Sequence, residues 1–176
     1  MSSQITFYPG GTGDLTGIPN ATGFGTHWQC VATNDGSTSF VSCNSGGYYT
    51  DLYTYIAQLI GGVINFVRVG AISHAPTTDT YTSIKNVIKP PGAPSEYYGP
   101  ANSATHLVDR YNDWYSNPYT GARWSWIELY ETQFGVSISH GGPAYETGAG
   151  IVYMTVDYDP AGIKSTAGMF DGCAVF

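Results

Sequence analysis

Glu128 and Glu131 lie three residues apart beside Trp124 and Trp126 in "WSWIELYETQ", and Glu146 follows further on. Paired carboxyls near aromatic rings are what glycoside hydrolysis needs, one as acid and one as base or nucleophile. Such pairs usually come from facing strands, where different surroundings split their pKa values. Two glutamates on one turn have a simpler use. Ser125 can N-cap a helical turn, and Glu128 then completes a capping box. Four histidines, His27, His74, His106 and His140, are dispersed without HxH or HExxH spacing, so no zinc motif is present. Serine, histidine and aspartate all occur, but no Gly-x-Ser-x-Gly elbow does. The runs "TNDGSTS" and "DYDPAG" offer oxygen ligands for calcium, and Asp35 and Asp159 equally suit Asx turns. The expectation is a chain with no catalytic residues, no metal site and no cofactor.

Sugar binding has better material. Trp114, Tyr119, Trp124 and Trp126 are close in sequence, and such rings stack on the apolar faces of sugars. The alternative is that these tryptophans anchor a corner between sheets. Asn20-Ala21-Thr22 is an N-glycosylation sequon, so Asn20 is a candidate attachment site. Cys30 and Cys43 flank the turn-rich "VATNDGSTSFVS", which as a hairpin would bring them together as a disulfide worth roughly 3 kcal/mol. Two buried thiols on neighbouring strands fit equally well. Cys173 is left as a free core thiol or an intermolecular partner.

The elements that must hold these residues are mostly strands. Alternating or short apolar blocks, separated by Gly, Pro, Asn and Asp, predict strands over 4–9, 27–33, 38–44, 62–73, 80–89, 104–112, 134–140 and 150–159. Turn clusters such as "GGTGD", "HAPTTD", "KPPGAP" and "HGGP" divide them. "YYTDLYTYIAQLIGG" places Leu52, Tyr55, Ile56 and Leu59 at helical spacing, although a strand and turn fit as well. The pattern predicts an all-β, two-sheet antiparallel β-sandwich, jelly-roll-like, with one or two short helices.

At 176 residues the chain suits one domain, placed at 1–160 and followed by a segment, 161–176, that loses the strand rhythm yet carries Met169, Phe170, Val175 and Phe176. That segment is expected to pack on its own domain or on a neighbour. Charged residues are 11% of the chain, against roughly 25% in ordinary domains. Fifteen tyrosines and 23 glycines take their place, which suits a surface that becomes contact in an assembly. A net charge of -7 with six Lys plus Arg excludes nucleic acid as a partner. No run approaches ~18 apolar residues, so no membrane span is expected. "MSSQITFYPG" has neither a basic nor an apolar leader region, as expected of a processed chain or of a virion component.

Four segments in order carry a family resemblance: "FYPGGTGDLTGIPNATGFGTHWQCV" with "GSTSFVS", "YYTDLYTY" with "GVINFVRVGAIS", "YSNPYTGARWSWIELYETQFGVSI", and "VYMTVDY". Together they resemble a β-sandwich domain that recurs in structural proteins of phages, other viruses and environmental prokaryotes. Asn-Pro-x-Thr-Gly followed by Trp-x-Trp and Gly-Val is the most specific part. The resemblance implies a jelly-roll-like module of tail, fibre or particle-surface proteins, without a reaction. The family commonly has a cysteine near the start of its last strand, where this chain reads "GAGIVYM", so no disulfide scheme carries over. The expected function is a non-enzymatic structural subunit, extracellular or in a virion, whose main partner is itself. Strand addition by a terminal segment would use Ile5 and Phe7, or Met169, Phe170, Val175 and Phe176. The alternative is a carbohydrate-binding module with glycans as partners.

Overall fold

Val152, Met154 and Val156 are buried while Tyr153 and Thr155 between them are half-buried, the period-two signature of a sheet with one face on a core. The computed structural model describes residues 1–33, 35, 38–58, 60–74, 82–104, 107–140 and 146–161. Within them lie strands β1 (Ser3–Phe7), β2 (Gly11–Thr16), β3 (Asn20–Thr22), β4 (Phe40–Cys43), β5 (Tyr48–Thr54), β6 (Gly62–His74), β7 (Thr82–Lys89), β8 (Tyr97–Tyr98), β9 (Asn102–Ser103), β10 (Asp109–Trp114), β11 (Gln133–His140) and β12 (Thr147–Pro160). Helices α1 (His27–Val31) and α2 (Trp126–Glu131) are short. Among the described residues no helix is long and apolar enough to cross a membrane.

Two antiparallel sheets form. Sheet A runs β10-β6-β12-β4-β3, and sheet B runs β2-β5-β11-β7-β8, with β9 also on β7. From β4 onward each main strand crosses to the opposite sheet: β4, β6, β10 and β12 in A, β5, β7 and β11 in B. That alternation is the double Greek key of a jelly roll, as the strand pattern predicts. Between the sheets, rows such as Tyr53–Phe134–Ile88 and Tyr49–Ile138–Ile84 face Val67, Val69, Val152 and Met154 in one hydrophobic core. One edge of β12 is shared by two strands: β4 pairs with Thr147–Ala149 and β1 with Met154–Tyr158.

Three sequence expectations need correction. Residues 27–31 of the segment expected as a strand over 27–33 are helix α1. A strand would send the adjacent Cys30 and Val31 to opposite faces, whereas one helical turn buries both against β12 and β4. Helical spacing through Leu52, Tyr55 and Ile56 gives way to the strand reading: β5 buries Tyr53 in the core opposite Phe134 of β11, and Tyr55 just beyond it meets the rings of Phe7 and Phe134; Leu59 lies outside the described residues. The strand expected over 104–112 begins only at Asp109, after a left-handed Leu107 (φ 54°). The short edge strands β2 and β3 arise within stretches that look like turns and loops.

Candidate functional site

Helix α2 starts as its residues predict. Glu128 N–H donates to Ser125 Oγ, and Ser125 N–H donates to Glu128 Oε2 at 2.9 Å. The Glu128 carboxylate also accepts from Ser125 Oγ (2.8 Å) and from Nδ2 of buried Asn117 (2.9 Å). Asn117 Oδ1 in turn accepts the Tyr119 amide (2.9 Å) and closes the turn ending at Gly121, whose φ of +71° suits glycine. Glu128 therefore holds a loop to a helix. Glu131 is exposed and lines an open 240 Å³ groove with Asp14 and Lys89. Glu146 accepts from Ser42 Oγ at the start of β12, the end remote from α2. The three carboxyls do not form a facing pair.

The tryptophans are the mortar of this corner. Trp114 and Trp124 are buried, and Trp124 Nε1 donates to the Trp114 carbonyl at 3.0 Å. Trp126 donates to Gly62 O at 3.1 Å and meets the Tyr158 ring edge-on at 5.2 Å. Only Tyr119 of the four aromatics remains open. Trp114 and Trp124 thus offer no open ring face for a platform with Tyr119 and Trp126.

A polar centre that sequence reasoning missed lies under α1. Asp51 is fully buried on β5, and its carboxylate accepts from Ile18 N–H (2.9 Å), His27 Nδ1–H (2.6 Å) and Tyr53 O–H (3.1 Å). One side chain ties the loop after β2, helix α1 and sheet B together. Burial, and then the neighbouring Asp51, pushes the Tyr53 phenol well above its ordinary pKa. His27 keeps 21% of its side chain exposed. Its Nδ1 is committed to Asp51, so Nε2 is the nitrogen left for solvent. No local motif signals this group, because His27 and Asp51 meet only through the fold.

The other candidates are scattered. His74 stacks on Phe40 at 4.0 Å, and buried His140 shares a hydrogen bond with Thr147 Oγ1 at 3.1 Å. His106 lies outside the described residues. Among those residues no group of three His, Cys, Asp or Glu is placed to hold a metal ion. Asp35 accepts from the Thr38 and Ser39 amides, as an Asx-type turn should. The disulfide weighed for Cys30 and Cys43 is not formed: both are free, buried thiols, because Cys30 sits on a helix and not on one arm of a hairpin. Desolvation, helped by Glu146, pushes the Cys43 thiol up to about 11. Asn20 is half-buried on β3 opposite Ser42. Ile5 and Phe7 point inward, Phe7 into the core and Ile5 packed against it, so neither is offered to a neighbour. Met169, Phe170, Cys173, Val175 and Phe176 lie outside the described residues.

The outer faces are tyrosine surfaces. On sheet A, Arg68 forks onto Asp113 (2.7 and 2.8 Å) and lies 3.9 Å above the Tyr111 ring, with Tyr153 donating to Asp109 at 2.7 Å alongside. On sheet B, Lys85 sits 3.9 Å over Tyr48 and 6.0 Å from Tyr98. These cations are spent on aromatic rings and carboxylates rather than spread to repel neighbours. Tyr48, Tyr98, Tyr111 and Tyr115 stay exposed. Strand β1 reads Ser-Gln-Ile-Thr-Phe, has no charge and no proline, and among the described residues pairs only with β12. No protein-family model, curated protein or solved structure matches the chain.

Proposed function

We propose that this chain is a non-enzymatic structural subunit of an extracellular or virion assembly and that it self-associates through the open edge of sheet A. The observation that supports this most is β1. Edge strands of solitary proteins are usually blunted by lysine, proline or a bulge, and β1 has none of these. Its inner side is taken by β12, which leaves alternate backbone groups on the outer side for another strand. Because Ile5 and Phe7 already fill their own core, the contact is pairing of the seated strand and not insertion of its side chains. Exposed tyrosines on both faces supply lateral contact area that five residues of backbone pairing cannot. The resemblance of the Asn-Pro-x-Thr-Gly and Trp-x-Trp segment to phage and viral structural modules agrees with this reading.

Light scattering on a sizing column across a concentration series, with negative-stain microscopy, tests it. Native chain should form dimers or polymers. Gln4→Lys with Thr6→Lys, which charges the edge while leaving Ile5 and Phe7 seated, should stay monomeric with an unchanged circular dichroism spectrum. Native chain that remains monomeric at high concentration overturns the proposal. Carbohydrate binding is a second reading, favoured by the exposed Tyr111 ring beside the Arg68–Asp113 fork, which combines a stacking face with polar partners. A glycan array with native chain and Tyr111→Ala separates the two.

A further inference from the structure

Helix α2 leaves Ile127 83% exposed, and the strand exit after β5 leaves Ile56 equally so. These are the most exposed branched aliphatic side chains among the described residues, and they share one end of the sandwich. Tyr55, next to Ile56, donates its hydroxyl to the Leu129 carbonyl of α2 and meets the Phe7 ring at a 49° tilt, centroids 4.8 Å apart. Tyr130 and Val63 add exposed apolar area at the same end, Val63 lying opposite Asp159 at the close of β12. Solitary exposed aliphatics need no explanation, but several gathered at one end, where the Tyr55–Leu129 and Trp126–Gly62 hydrogen bonds draw their segments together, do.

The described chain also ends here. Ala161 lies against Gly61, and the adjacent Gly62 carbonyl accepts from Trp126, the first residue of α2. Residues 162–176 therefore start beside this patch. They carry Met169, Phe170, Val175 and Phe176 with only Lys164 and Asp171 as charges. Fifteen residues reach at most roughly 50 Å when extended, far more than the width of a six-residue helix requires. A tethered segment meets its site at an effective concentration of about millimolar, well above any free copy at micromolar concentration.

We infer that residues 162–176 of the same chain cover the patch formed by Ile56, Ile127 and Tyr130, with Phe170 and Phe176 supplying the apolar contacts. Self-association through β1 neither requires this nor forbids it, since β1 lies along the side of β12 and not on α2. The test is hydrogen exchange of peptides spanning 55–62 and 126–131, at roughly 1 and 100 µM protein. Three chains are compared: native, truncated after Ala161, and full-length Phe170→Ser with Phe176→Ser. Both altered chains should exchange about tenfold faster than native in those peptides, equally at both concentrations. Equal protection in all three overturns the inference. Protection of native chain only at the higher concentration also overturns it and assigns the patch to a second copy. Should the truncated chain fail to fold, the full-length double variant decides alone.

Discussion

Replacing Asp51 by alanine strands three donors at once. The Ile18 amide and the Tyr53 hydroxyl are buried, and each loses its acceptor without gaining water, at ~1–3 kcal/mol apiece. His27 is 21% exposed and can turn toward solvent, so it adds at most about 1 kcal/mol. Removing the desolvated carboxylate itself offsets part of this, which leaves a net loss of roughly 3–5 kcal/mol, the range for breaking a buried charged pair. Asp51→Asn retains one oxygen for Ile18 and should lose only about 1–2 kcal/mol. His27→Ala combined with Asp51→Ala should show about 1–2 kcal/mol of coupling, since the two side chains share a 2.6 Å contact. Urea unfolding followed by tryptophan emission at low micromolar concentration measures the native chain, Asp51→Ala, Asp51→Asn, His27→Ala and the double variant. If Asp51→Ala costs less than about 0.5 kcal/mol with an unchanged m-value, the group does not bind the elements together as described.

Further outcomes follow from other contacts. Ser125→Ala should cost about 1 kcal/mol by loss of the cap, and Glu128→Ala about 2 because buried Asn117 also loses its acceptor; both are read from chemical denaturation. Gly135→Ala would drive a methyl group into the Asp51 carbonyl of β5 and should cost about 3 kcal/mol or more, whereas at Gly70 the obstacle is the half-exposed Tyr153 ring, which can swing aside for about 1 kcal/mol. Thermal melts of the two variants should differ accordingly. Cys43, pushed from 9.0 up to about 11, stays a neutral thiol in the fold and should resist iodoacetamide near pH 8 until urea is added, as intact mass will show. Because its folded value is the higher one, its stabilising effect is present below pH 9.0 and fades as pH rises toward about 11.

What the sequence made legible was whatever depends on near neighbours. The Ser125–Glu128 box is local chemistry, and β6, β7, β11 and β12 announce themselves by alternation because one of their faces is always buried. Edge strands β2 and β3 bury little, so glycine, threonine and aspartate reveal only turns although the backbone pairs. Helix α1 is five residues, His-Trp-Gln-Cys-Val, that include strand-prone Trp28 and Val31 and are wound into a turn that buries Cys30 and Val31 together. Asp51 stood unnoticed among tyrosines because its partners come from residues 18, 27 and 53 through three separate elements. The tryptophan cluster could be read either way until the register of β10 placed Trp114 inward.

Strand β12 has a consequence for how the molecule is made. It is the last strand among the described residues, yet β6 lies along one side of it while β4 and β1 divide the other. During synthesis β1 waits for a partner some 153 positions downstream, the separation of Gln4 and Asp157. Until ribosomal exit of that stretch, the first strand is an uncharged ribbon without its partner, while the shorter-range pairing of β6 with β10 can form earlier. Closure is thus a late, near all-or-none event, and slowing it lengthens the interval in which sticky nascent chains can find one another.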